Sequence, residues 1–234
     1  MLNTNNILQN LSFDRFNSYL NLAANKESEA FKLYEFNIKL SESFYPSLHN
    51  LEISLRNNFH LSIAKTYGEN WFLNRDLMAG TNKKEFVNIS KIDEIIAKSK
   101  QVNSSVIISN LSFGFWVSLL YPNYELSMWR QSLRNVFTEN QKITRKEIHQ
   151  KLESIKQIRN RAAHHELILK FDLKLYHQTI YEILEHLSPE LANWTSQLDR
   201  FPKIFSEYQD FLAEFQTIKN PGDLQVEVGP GHLG

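Results

Sequence analysis

Residues 31–67 read FKLYEFNIKLSESFYPSLHNLEISLRNNFHLSIAKTY. Along this stretch Leu33, Phe36, Leu40, Phe44, Leu48, Leu51, Leu55 and Phe59 recur at steps of three or four, the spacing of one helical face. Pro46 interrupts the run, because its ring removes a backbone donor and crowds the preceding turn. Two helices, or one bent helix, are therefore predicted here.

The same period continues on either side. Phe13, Phe16, Leu20 and Ala23 step by three, four and three within residues 12–24. Asn82–Glu85 and Thr144–Glu147 have the form of capping boxes, each opening an amphipathic helix. Ser188 followed by Pro189 reads as an N-cap with proline at the first helical position. Further helices are predicted over 104–120, 125–138, 172–187 and 201–218. The best strand candidate, Val102–Ile108, is short and runs into an aromatic stretch of helical character. Only three of the seven glycines and four of the six prolines lie before residue 220, so few breakers punctuate the chain. The expected fold is all-α, one domain over residues 1–219. The Gly- and Pro-rich residues 220–234 are expected to be a flexible or cloning-derived tail.

Composition narrows the function. The 234 residues carry 26 basic and 26 acidic side chains, which argues against a general nucleic-acid coat and confines any such contact to a local patch. There is no cysteine, so disulfides, thiolate metal sites and cysteine nucleophiles are excluded. The first residues, MLNTNNILQNLSF, lack the basic start and apolar core of a signal peptide. The most apolar stretch, Val106–Tyr121, is too short and too polar to span a bilayer. No membrane association and a cytoplasmic location are expected.

Charge is unevenly spread. Residues 142–170 hold eight basic and three acidic side chains, a net of five positive charges, whereas residues 182–227 carry a net of six negative ones. The first can form an anion-binding surface or simply a solvated helix face. Within it lies Ile158-Arg-Asn-Arg-Ala-Ala-His-His-Glu166. Arginine offers a permanently charged planar fork for phosphate. Histidine can take or return a proton near neutral pH. Together they form the minimum set for metal-free transesterification at a phosphodiester. Arg159 and His164 are five residues apart, about 140° around an ideal helix. A helix end near Ala163, or a second subunit, is needed to bring them to one phosphate. The same residues also suit a purely structural helix terminus, with basic groups at its negative dipole end and Glu166 paired to Arg161 or Lys170.

Other patterns carry less. His164, His165 and Glu166 are adjacent and diverge on a helix, and with no HExxH or comparable ligand spacing no metal is expected. His49, His60, His149, His177 and His186 are scattered at helical positions with ordinary surface or core roles. Phe113, Phe115, Trp116, Tyr121, Tyr124 and Trp129 could stack bases, but without interleaved basic residues they suit a core or a dimer interface better.

Arg159-Asn followed by His164 or His165 resembles the R-x4-6-H signature of HEPN domains, the helical fold shared by many prokaryotic ribonuclease toxins and defence effectors. Leu33-Tyr-Glu-Phe-Asn37 with Tyr45-Pro46, Leu51-Glu-Ile-Ser-Leu-Arg-Asn57, Leu111-Ser-Phe-Gly-Phe-Trp116 and Trp129 stand in the order found in the Abi-like (abortive infection, AbiD/AbiF type) family. The resemblance covers about residues 10–195. It implies a HEPN-like helical bundle with additional helices, RNA cleavage without a metal or other cofactor, and a homodimer that brings two motifs to one cleft. It assigns Arg159, Asn160 and His164 to catalysis, with His165 as the alternative acid/base. Glu52 and Arg56 match the family's LE-x3-R pattern and would orient the motif, or form an i,i+4 ion pair. Arg161 and Glu166 are expected in support, and Lys156, Arg145 and Lys146 in RNA contact. Glu166 or Leu167 stands where nucleotidyl-silenced HEPN toxins have tyrosine, so that form of control is not expected. An antitoxin or a phage component is a further possible partner. The reading from another class is a non-catalytic module that binds RNA or a protein through the same surface.

Overall fold

The computed structural model describes residues 4–80, 87–98, 103–137 and 143–217. The capping box proposed at residues 82–85 and the tail after residue 219 lie outside them. The described residues contain helices and no strand: α1 (Thr4–Leu11), α2 (Phe13–Leu22), α3 (Glu27–Ser43), α4 (Tyr45–Tyr67), α5 (Arg75–Ala79), α6 (Val87–Lys98), α7 (Ser104–Asn110), α8 (Phe113–Ser118), α9 (Arg145–Ala163), α10 (Leu173–Leu187), α11 (Pro189–Ser196) and α12 (Phe201–Thr217). The protein is all-α, the class that the HEPN resemblance implies. None of these helices is long and apolar enough to cross a membrane.

Two compact units emerge. Of the described residues, the first gathers 4–46, 158–177 and 198–217, and the second those between 47 and 157 together with 178–197. In the first, α2 and α12 pack on α3. Its core is aromatic: the Phe16 and Phe31 rings lie 4.6 Å apart, Phe36 stacks on Phe211 at 5.3 Å, and Phe44 meets Phe201 at 4.8 Å. His177 stacks on Phe201 at 4.4 Å and meets the Asp199 carboxylate at 2.6 Å, a satisfied core histidine.

The second unit buries Leu51, Leu55, Phe59 and Ile63 along α4, with Phe115, Trp116 and Tyr124 from later in the chain. A buried polar knot orders it. Asn88 Nδ2 donates to Ser118 Oγ at 2.9 Å, and Tyr124 donates to the Met78 carbonyl at 2.6 Å. Gly80 closes α5 at φ +62°, and a Cβ there would come within 2.8 Å of the Asn123 amide, so only glycine fits.

Two expectations change, while the weak strand candidate at 102–108 gives way to the helix predicted from 104: Ser104–Asn110 is helical, and the Asn103 side chain caps α7 by accepting from Ser105 N at 2.9 Å. The helix proposed over 104–120 is two helices. Leu111 is extended, and the Ser112 hydroxyl then accepts from Phe115 N at 3.3 Å, starting α8 afresh. Over 125–137 the chain forms a π turn (Glu125–Trp129) and a 3₁₀ turn (Leu133–Phe137) where one regular helix was predicted. Long-range bonds account for the irregularity: Arg145 binds the Glu125 carboxylate and the Leu120 carbonyl, and Tyr67 donates to the Ser127 carbonyl. Pro46 lies at the second position of α4, where a missing N–H costs nothing, and α3 ends just before it. The expected caps at Thr144 and Ser188 are both present.

Candidate active site

The motif lies in the first unit, where α9 ends. His164 N still bonds to the Asn160 carbonyl at 2.9 Å, so the helix stays regular to that point. His165 N then bonds to Ala162 O at 3.1 Å and Glu166 N to Arg161 O at 2.9 Å, the paired bonds of a Schellman cap. Such a cap needs a left-handed residue, usually glycine. Here it is His165, at φ +57°, a conformation that costs a side-chain-bearing residue about 1–2 kcal/mol.

Long-range contacts hold this strained end. Arg161 and Glu166 occupy the two positions where a Schellman cap often has an apolar contact, and they form an ion pair at 2.8 Å. The Arg161 guanidinium also lies 4.8 Å from the centre of the Phe171 ring. Asn37, buried on α3, donates to the Glu166 carbonyl at 3.1 Å and accepts from Ile168 N at 2.8 Å. Arg15 donates to the His165 carbonyl at 3.4 Å. The backbone of residues 165–168 is thereby fixed while both histidine side chains remain in solvent.

The motif residues separate into two groups. Arg161 and Glu166 are engaged with each other. His164 and His165 are exposed, and their rings hydrogen-bond to nothing among the described residues. Asn160 is exposed and accepts from the half-buried Arg159 at 3.2 Å. Asn160 and His164 are four residues apart and share a helical side; Arg159 and His164, five apart on a regular helix, leave it about 140° from one another. The predicted helix end at Ala163 is present. It falls too late to turn His164 back toward Arg159, because the reversal begins at His165.

The other expected residues belong to the second unit. Glu52 and Arg56 are half-buried one turn apart on α4. Lys156 pairs with Glu153 at 2.5 Å, and His149 together with Lys156 holds the Glu153 carboxyl down at about 2. Lys146 is exposed at the start of α9. The Arg145 side chain is mostly covered and bound to Glu125 and the Leu120 carbonyl.

Sequence reasoning missed Arg15 and Phe171, and gave Asn37, named only within the Leu33–Asn37 stretch, no role at the site. Asn37 had a readable signal, since it stands at an apolar register position between Leu33 and Leu40. A polar side chain on a buried stripe must find a partner. Arg15 and Phe171 show no pattern that would distinguish them from surface and core neighbours.

A family model described as Abi-like protein matches residues 6–170, more than half of the chain and all of the motif. No curated protein and no solved structure gives a significant match.

Proposed function

Because this chain belongs to the Abi-like protein family, which implicates it in abortive-infection defence, we propose that it acts there as a metal-independent endoribonuclease of the HEPN type. The observation that carries the reading is the pair of exposed, unengaged imidazoles, His164 and His165, on a backbone fixed by Asn37 and Arg15, beside Arg159 and Asn160. A merely structural helix terminus has no need of two histidines in solvent, one of them in a strained conformation that glycine would adopt freely.

In the proposed reaction a neutral imidazole takes the proton from an RNA 2′-hydroxyl. The 2′-oxygen attacks the adjacent phosphorus, and the bond from phosphorus to the 5′-oxygen breaks. A protonated imidazole gives its proton to that leaving oxygen, so the products are a 2′,3′-cyclic phosphate and a 5′-hydroxyl. The Arg159 guanidinium stabilises charge gathering on the phosphoryl oxygens, and Asn160 orients it. We assign the acid/base role to His164, with His165 as its alternate. Arg159 and His164 diverge on one helix, so the complete site is proposed to form in a homodimer, the guanidinium of one copy meeting the imidazole of the other. Glu52 and Arg56 are proposed as orienting residues.

Purified protein incubated with RNA in EDTA tests the reading. Cleavage leaving 2′,3′-cyclic phosphate ends is expected, and it should fall at least 10²-fold in Arg159→Ala and in His164→Ala/His165→Ala. Unchanged cleavage in the variants overturns the assignment. RNA bound but never cut would make the protein a binding module.

A further inference from the structure

The irregular segment over 125–137 and the first turn of α9 enclose a cavity of about 500 Å³ in the second unit. Among the described residues, Arg130, Arg134, Arg145 and Lys146 line it, with Glu125 as the one carboxylate. That carboxylate is already committed. Arg130 donates to it at 3.2 Å and Arg145 from the other side. Burial pushes its pKa up, but these two hydrogen bonds outweigh burial and hold it below the usual range, so it stays ionised and neutralised.

The division of labour among the cations is informative. Arg145 braces the wall, with its side chain only 15% exposed and its donors on Glu125 and the Leu120 carbonyl. Arg134 and Lys146 project into solvent and enter no ion pair among the described residues. Two lining cations with no ion pair among the described residues, in a braced cleft, suit an anion with more than one charge. The cleft's aromatic residue, Trp129, is 5% exposed, so it offers no face on which a base could stack. Among the described residues the cleft therefore offers an anion its positive charges and no aromatic stacking platform.

We propose that this cleft grips the phosphodiester backbone of RNA, with Arg134 and Lys146 as the contacting residues and Arg145 as their support. The proposal rests on the nuclease reading for its choice of polyanion, and it adds a base-independent hold on substrate at residues separate from the motif. π turns are frequent at functional sites, and here the π turn brings Arg130 to the cleft wall.

The test uses the full-length His164→Ala/His165→Ala protein, so that RNA is bound without being cut, and a fluorescent single-stranded RNA of mixed sequence. Adding Arg134→Gln/Lys146→Gln should raise Kd about tenfold at low salt, and equally for unrelated sequences. It should also lower the slope of log K against log salt by roughly 1.4, or about 0.7 for each phosphate contact removed. Both side chains are exposed, so the thermal midpoint should not move. An unchanged Kd and slope overturn the cleft while leaving intact a nuclease shown to cleave through its motif. If the wild-type protein neither binds nor cuts RNA, cleft and nuclease reading fall together. Poly-glutamate competing as well as RNA would overturn the phosphate assignment alone.

Discussion

The two ends of α9 are closed by different chemistry. At the first, Thr144 and Glu147 form a local capping box. Thr144 N donates to the Glu147 carboxylate at 2.7 Å, and Glu147 N donates back to the Thr144 hydroxyl at 3.2 Å. Both residues are good at this task, and the cap's own hydrogen bonds need no distant partner. At the second end the left-handed position falls to His165, and contacts from Arg15, Asn37 and Phe171 hold the chain beyond it. One end is built for stability from residues three apart. The other accepts a local cost that only tertiary contacts offset, which is common where side chains are kept for chemistry.

Breaking the tertiary support should therefore have the largest effect. Asn37→Leu leaves the Glu166 carbonyl and the buried Ile168 N–H without their partner. A loss of about 2–3 kcal/mol in urea unfolding is expected. RNA cleavage should fall further than stability alone explains, because the histidines lose their fixed backbone. Asn37→Asp keeps the acceptor for Ile168 N and should recover part of the stability. Equal behaviour of the two variants would show that the acceptor for Ile168 N contributes nothing.

Replacing the strained residue should act in the opposite direction. His165→Gly removes the left-handed penalty, and glycine's greater chain entropy takes back part of the gain, so a net stabilisation of roughly 0.5–1 kcal/mol is expected. If His164 is the acid/base, this variant retains cleavage and melts higher. Loss of cleavage with the same stabilisation would move that role to His165. Thr144→Ala, at the other end, should cost about 1 kcal/mol and leave cleavage unchanged. A destabilised His165→Gly would erase the contrast between the ends.

What could be read in advance follows the same division. The Thr144 and Ser188 caps, the break at Pro46 and the buried stripe of α3 and α4 depend on residues within a turn or two of each other, so spacing reveals them. The Arg159–Glu166 motif was legible as a cluster of chemical types. Its cap was not, because nothing local marks His165 as the left-handed residue, and its partner Asn37 is 129 residues from Glu166 in the chain. The segment over 125–137 failed for a related reason: its apolar spacing suits a helix, but bonds from Arg145 and Tyr67 decide its turns. Leu111 failed more narrowly, since Ser112 is an N-cap that periodicity alone overrode.

Acid separates the two ends further, with the smallest expected effect. The Glu147 carboxyl lies below its ordinary range, chiefly through the hydrogen bond from Thr144 N and then that from the Thr144 hydroxyl, and Glu153 one helical segment on is held at about 2. A carboxyl whose pKa falls on folding binds fewer protons in the native state. Its contribution is complete above the unfolded value, near 4.5, and is lost as pH drops toward the folded one. Thermal midpoints should therefore hold level down to about pH 5 and then decline, with Glu153 still titrating near pH 2. Glu153→Gln should lower the midpoint at neutral pH and flatten the decline, and Glu147→Gln should do the same more weakly because that carboxylate is exposed. An acid limb identical to wild type in both variants would place the acid sensitivity outside the first half of α9, and the contrast between its ends would then rest on backbone geometry alone.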